Sequence, residues 1–148
     1  MNDEERKALI TAYLKAFDNG GTGADGRQLL DFFADDALFY FPKWGVASGK
    51  KAIAELFGDL GGGVQAVTHH FWSFNWLFSG DTVAVEGETH GQHRDGPWRA
   101  GVPDWGAGRW CGVFEVRDDL IQRAFIYLDP DYAGRDTERY PWLRPAEA

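Results

Sequence analysis

The sequence predicts an α+β domain in which a curved antiparallel sheet packs on three helices around an aromatic-lined pocket. Three observations carry that prediction. Helical spacing of apolar residues dominates the chain as far as Phe57. Beyond Gly61-Gly62-Gly63 the period changes to two, through residues 64–78, 82–90, 109–117 and 120–128. Such a sheet needs one face covered, and the helices are the available cover. Finally, seven Trp, eleven Phe and five Tyr make up 16% of the 148 residues. Large flat rings suit a cavity wall or an apolar interface as well as a core.

In chain order, residues 3–18 read as a helix. Asp3, Glu4 and Glu5 sit where the helix dipole favours negative charge, and Leu9, Ala12, Tyr13, Ala16 and Phe17 form one apolar stripe. A glycine-rich turn over residues 19–25 ends it. Asp25 is placed to cap a short second helix, Gly26–Ala34, followed by a turn at Asp35-Asp36. Ala37–Phe41 read as a strand stopped by Pro42, and residues 43–47 as a loop. Ser48 is placed to cap a third helix, Gly49–Phe57. Gly80-Asp81 and Asp118-Asp119 are turns between strands, and residues 91–108, with Trp98 and Trp105, form a strand connection or an ordered loop. The domain spans 1–130. Residues 131–148 are a tail, docked through Tyr132, Tyr140 and Trp142.

Composition excludes several classes of function. A net charge of -8 without clustered bases argues against a nucleic-acid partner. Cys111 is the only cysteine, which rules out an internal disulfide and a cysteine-rich metal site. The charged start lacks an apolar signal segment, and no apolar run is long enough to span a membrane, so a cytoplasmic location is expected. The glycines after the first helix are followed by no Lys-Ser/Thr pair, so they do not form a phosphate loop.

Several segments together resemble one superfamily. They are Tyr13-Leu14-Lys15-Ala16-Phe17 before a glycine turn, residues 29–37, Gly49-Lys50-Lys51-Ala52-Ile53, residues 80–86, and Gly112-Val113-Phe114-Glu115-Val116. The chain resembles the nuclear-transport-factor-2-like (NTF2-like) proteins over residues 5–129, and within them the SnoaL-like polyketide cyclases and the ketosteroid isomerases. The resemblance implies a cone-shaped, cystatin-like fold and a homodimer through the outer face of the sheet. It also implies that Tyr13 is an oxyanion donor of the isomerase kind. Phe41 and Gly112 occupy the positions where an isomerase would hold its base and its second acid. The epoxide-hydrolase-like members place an Arg and two Asp near Gly87–Thr89 and at Ile126, where this chain has neither type. A cyclase-like site needs only one proton-moving group.

The candidates for that group follow from strand alternation. His70, Trp72, Phe74 and Trp76 share one face of their strand, and His69, Phe71, Ser73 and Asn75 the other. His70 is either a structural histidine or the proton carrier. Ala84, Glu86, Glu88 and His90 share a face, as a solvated row or as an acid/base group at the pocket rim. Asp129 stands at the end of the last strand, after Arg123, Phe125 and Tyr127. Gly112 leaves space beside Trp110 and Phe114, either to enlarge the pocket or to be filled by another ring. Cys111 reads as a buried packing residue, and Trp44, Trp98 and Trp105 as loop residues over the cavity mouth or a partner. The expected catalytic set is therefore His70, Glu86, Asp129 and Tyr13. The expected ligand contacts are Phe17, Phe33, Tyr40, Trp44, Trp72, Phe74, His90, Trp110, Phe114, Phe125 and Tyr127. No metal or other cofactor is expected, and the expected partner is a small hydrophobic or polycyclic molecule. The expected function is binding that molecule, with cyclase or isomerase chemistry. The alternatives are a non-catalytic binder, a dimeric structural domain, and an epoxide-hydrolase-like lyase or hydrolase.

Overall fold

The computed structural model describes residues 1–98, 108–136, 139, 140 and 142. The expected Trp105 contact lies outside the described residues. Helix α1 is Asp3–Asp18. The Asn2 side chain accepts from the Glu5 backbone N–H and the Glu5 carboxylate accepts from that of Asn2, each at 2.8 Å, so two otherwise orphaned amides are satisfied. Strands β1 (Phe33–Phe41) and β2 (Gly45–Ser48) form a hairpin, and helix α2 is Lys50–Gly63. Strands β3 (Val64–Ser79), β4 (Thr82–His93), β5 (Gly96–Pro97), β6 (Arg109–Arg117) and β7 (Leu120–Leu128) follow. The curved sheet runs β2-β1-β7-β6-β4-β3, with β5 paired to β4. No described helix is long and apolar enough to cross a membrane.

Two expectations about the architecture need correction. The sheet is mixed, because β1 runs parallel to β7. Two α-helices cover it, not three. The stretch expected as the second helix forms a single 3-10 turn, Leu29–Phe32, and β1 begins at once. The Asp31 carboxylate accepts from the Gln28 amide at 2.8 Å and closes that turn. Phe33 then pairs with Ile121 of β7, so sheet pairing overrides the helical spacing. Asp25 caps no helix; it binds the Arg27 backbone and side chain. Gly49, not Ser48, is the N-cap of α2, and that helix continues through the three glycines expected to break it.

Both helices lie on one face of the sheet. Tyr13 of α1 packs edge-on against Phe33 and Phe114, with ring centres 5.4 and 6.5 Å apart. Phe57 of α2 packs against Phe39 and Phe17. Phe33, Phe114 and Ile53 are completely buried in this layer. Arg6, also buried, fastens α1 to the sheet: Nε donates to the Val116 carbonyl at 3.0 Å and Nη2 meets Asp81 at 2.7 Å. The β6–β7 turn uses Asp118 and Asp119 at φ 56 and 59, the left-handed pair that a tight two-residue hairpin requires.

Candidate functional site

A cavity of about 370 Å³ opens between the C-terminal ends of α1 and α2 and the concave face of the sheet. Tyr13, Phe17 and Asp18 come from α1, Phe57 and Leu60 from α2, and Phe39 and Phe41 from β1. The sheet contributes His69, Thr89, Trp110, Ile126 and Leu128, and Trp98 and Tyr132 close one end. Trp98 can lie there because Gly91 has no side chain. A Cβ on Gly91 would come within 2.7 Å of the indole and 2.3 Å of the Ala66 carbonyl oxygen.

The polar centre of this wall is a pair formed by α1 and β3. The Asp18 carboxylate accepts from the His69 backbone N–H at 2.8 Å with Oδ2 and meets His69 Nδ1 at 2.5 Å with Oδ1. Both side chains are largely buried, at 10% exposure for His69 and 18% for Asp18. A carboxylate at Nδ1 assigns the ring proton there and leaves Nε2 with a lone pair. Nε2 has no hydrogen-bond partner among the described residues. Trp110 and Phe74 hold the ring edge-on, with centres 5.3 and 6.3 Å away. Tyr13 also lines the cavity, and its hydroxyl has no partner among the described residues. Burial drives the Tyr13 pKa far above the usual phenol range, so it stays protonated as a donor.

The structure brings together only part of the expected site. Tyr13, Phe17 and Trp110 line the cavity. Phe33 and Phe114 are core residues against Tyr13, one layer behind it. Phe74 faces inward, wedged against His69 and Trp110. His70, Glu86, His90, Trp72, Tyr40, Phe125 and Tyr127 stand on the opposite face of the sheet. There His70 Nε2 meets His90 Nδ1 at 2.5 Å, Asn75 donates to Glu86, and Trp72 stacks on His70 while 80% exposed. Tyr40 packs between Phe125 and Tyr127 on that face. Trp44 sits on the β1–β2 turn and donates to Asp59 at 2.8 Å. Asp129 is exposed and accepts from the Asp131 amide. Cys111 is half-buried, not fully buried, on the outer face.

A β-bulge explains the reversal at His70. The register moves from His70 opposite Glu88 to Asn75 opposite Glu86, so Phe71–Phe74 stand opposite Gly87 alone. Strict alternation therefore breaks inside β3. His69 points inward before the bulge, Phe71 and Phe74 within it and Trp76 after it, with His70 and Trp72 left outside. Gly112 does not enlarge the cavity. A Cβ there would lie 2.5 Å from the Phe114 ring, so Phe114 already fills the space.

The SnoaL-like domain profile matches residues 10–124. The chain belongs to the SnoaL-like family. Solved structures place this family's fold among NTF2-like proteins. An NTF2-like protein from Anabaena variabilis is 19% identical, with 90% of this chain and 96% of that chain covered and a TM-score of 0.67. A candidate polyketide cyclase from Xanthomonas campestris pv. campestris is 23% identical, covers 88% and 95%, and also scores 0.67. A protein with a ketosteroid isomerase-like fold from Catenulispora acidiphila, in complex with trimethylamine, is 20% identical, covers 84% and 88%, and scores 0.60. At these identities the likeness is one of fold. No curated protein matches the chain significantly.

Within this SnoaL-like domain, Asp18 and His69 are the site residues that sequence reasoning missed. Asp18 follows the Tyr13–Phe17 stripe directly, at the end of α1, so its place beside the pocket was within reach. Its partner was not, because the bulge between His70 and Asn75, which turns His69 inward, leaves no periodic signal.

Proposed function

We propose that this SnoaL-like domain binds a small flat hydrophobic molecule and moves a proton on it without a cofactor, in a cyclase or isomerase reaction. The supporting observation is the Asp18–His69 pair in the wall of an aromatic cavity. His69 Nε2 takes a proton from a carbon next to a carbonyl. The C–H electron pair moves into the carbonyl, and negative charge develops on its oxygen. The Tyr13 hydroxyl donates to that oxygen, and the Asp18 carboxylate stabilises the imidazolium until the proton is returned elsewhere on the ligand. Apolar surroundings strengthen each of these interactions. The fold shared with a candidate polyketide cyclase and a ketosteroid isomerase-like protein is consistent with this chemistry.

The test is hydrogen–deuterium exchange of 2-tetralone and related aryl ketones in D₂O, followed by NMR. Wild-type protein accelerates exchange over buffer, and the His69→Gln protein does not. Equal rates for the two proteins would refute the assignment.

A second proposal concerns the other face of the sheet. Trp72, Leu77 and Tyr127 are 80%, 60% and 46% exposed there, a large apolar display for an uncovered surface. We propose that a second copy of the chain covers it. Light scattering coupled to size exclusion would show twice the chain mass, and a monomer at every concentration would exclude the pairing. We also propose a cytoplasmic location, which fractionation of the source cells tests.

A further inference from the structure

We propose that Trp98 determines ligand length, by setting how far a molecule held at His69 can extend along the sheet. This rests on the Asp18–His69 cavity being the ligand site. On β4, Thr89 stands opposite His69, and both line the cavity. Gly87 and Gly91 flank Thr89 two residues away on either side, so all three face the same way at steps of about 7 Å. Each glycine is overlaid by a ring from another segment. A Cβ on Gly87 would lie 2.5 Å from the Phe74 ring, and one on Gly91 would lie 2.7 Å from the Trp98 indole. The row that holds His69 is therefore walled by an aromatic ring on each side.

The two walls hold different things. Phe74 and Trp110 pack edge-on against His69 and against each other, so that wall positions the imidazole. Trp98 stacks instead on Tyr132, with centres 4.7 Å apart, and His93 stacks on Tyr132 at 5.5 Å. The Trp98 backbone is fixed as well. Its N–H donates to the Gly91 carbonyl at 3.1 Å, directly after the pairing of Gly96 and Pro97 with β4. A ring tied to a strand and backed by a second ring is a rigid stop, and Trp98 is only 4% exposed. The step of about 7 Å from Thr89 to Gly91 leaves length for roughly one ring between His69 and that stop. A ligand longer in this direction meets the indole, and a packed wall yields only with strain.

Calorimetric titration with 2-tetralone and 6-phenyl-2-tetralone tests the proposal. The added phenyl lengthens the ligand on the side away from its carbonyl. Wild-type protein should bind the longer ketone about tenfold more weakly, a usual penalty for exceeding a fitted pocket. Trp98→Ala should reverse the order. The longer ketone gains about tenfold, and 2-tetralone loses about threefold with the contact area. Trp98→Leu keeps more apolar volume; it should shift the ratio in the same direction by a smaller factor, and it serves where the alanine variant fails to fold. Equal binding of the two ketones by wild-type protein, or a ratio that neither variant moves, would overturn the proposal. Binding of neither ketone would overturn it together with the ligand site. Length selection that relaxes at Trp98 without proton exchange would uphold the role of Trp98 and refute only the Asp18–His69 chemistry. Exchange that depends on His69 with the ratio unmoved would refute only the role of Trp98.

Discussion

His69 and His70 are adjacent in the chain and belong to opposite faces of one sheet. His69 is held by a carboxylate from α1 and by two aromatic edges, in a wall the helices enclose. His70 shares a short contact with His90 under an exposed Trp72, on a face no described helix covers. The two residues have the same side chain and nearly the same sequence context. What separates them is which groups the fold brings to each ring, so chemical capacity here is a property of the face.

The largest test of that contrast is catalytic. His69→Gln should lower proton exchange by about 10²–10⁴-fold, the usual share of one general acid/base group. His70→Gln should leave the rate within about twofold, and comparable losses in both would erase the distinction between the faces. Asp18→Asn should fall between them, because the ring loses its anchoring charge and keeps its position; its rate in the same assay measures that.

Stability should divide along the same line. Phe114→Ala empties a fully buried site beside Tyr13 and should cost about 3–5 kcal/mol in urea unfolding. Trp72→Ala, on the outer face, should change stability by about 0.5 kcal/mol or less in a monomer. A larger loss that grows with protein concentration would indicate pairing through that face. Gly112→Ala should cost about 1–3 kcal/mol, since its methyl group would meet the Phe114 ring.

The smallest expected effect concerns Cys111 on the outer face. Partial burial, and then the nearby Glu86 charge, raise its thiol pKa, so less thiolate is present at neutral pH. Alkylation by iodoacetamide should be slow there and accelerate as pH rises through and beyond the ordinary thiol range. Glu86→Gln should speed it modestly at a given pH, and no change would mean that burial alone sets the shift.

Most strands could be read from the sequence because their signals are local. Residues 109–117 alternate without interruption and residues 120–128 do so apart from one irregularity at Gln122, and β6 and β7 occupy those ranges. α1 was equally plain, with acidic residues at its start and one apolar stripe. The second expected helix failed because Phe33 belongs to a parallel pairing with Ile121, a contact far away in sequence. The site was legible from its helix side and obscured from its sheet side. Tyr13 and Phe17 follow helical spacing into the cavity. The inward residues of β3 depend on a bulge whose cause lies across the ladder, where Ser73 Oγ donates to the His70 carbonyl and accepts from the Glu88 amide.

That bulge makes segment length a determinant in its own right. The Gly80 turn fixes the far end of β3, and the count of residues back to the histidines decides which of them turns inward. Gaining or losing one residue between them would exchange His69 for His70 at the cavity without substituting either. Two adjacent histidines beside an irregular strand thus let a change in chain length alter the site while its residues stay the same, a route that comparison of aligned residue identities would miss.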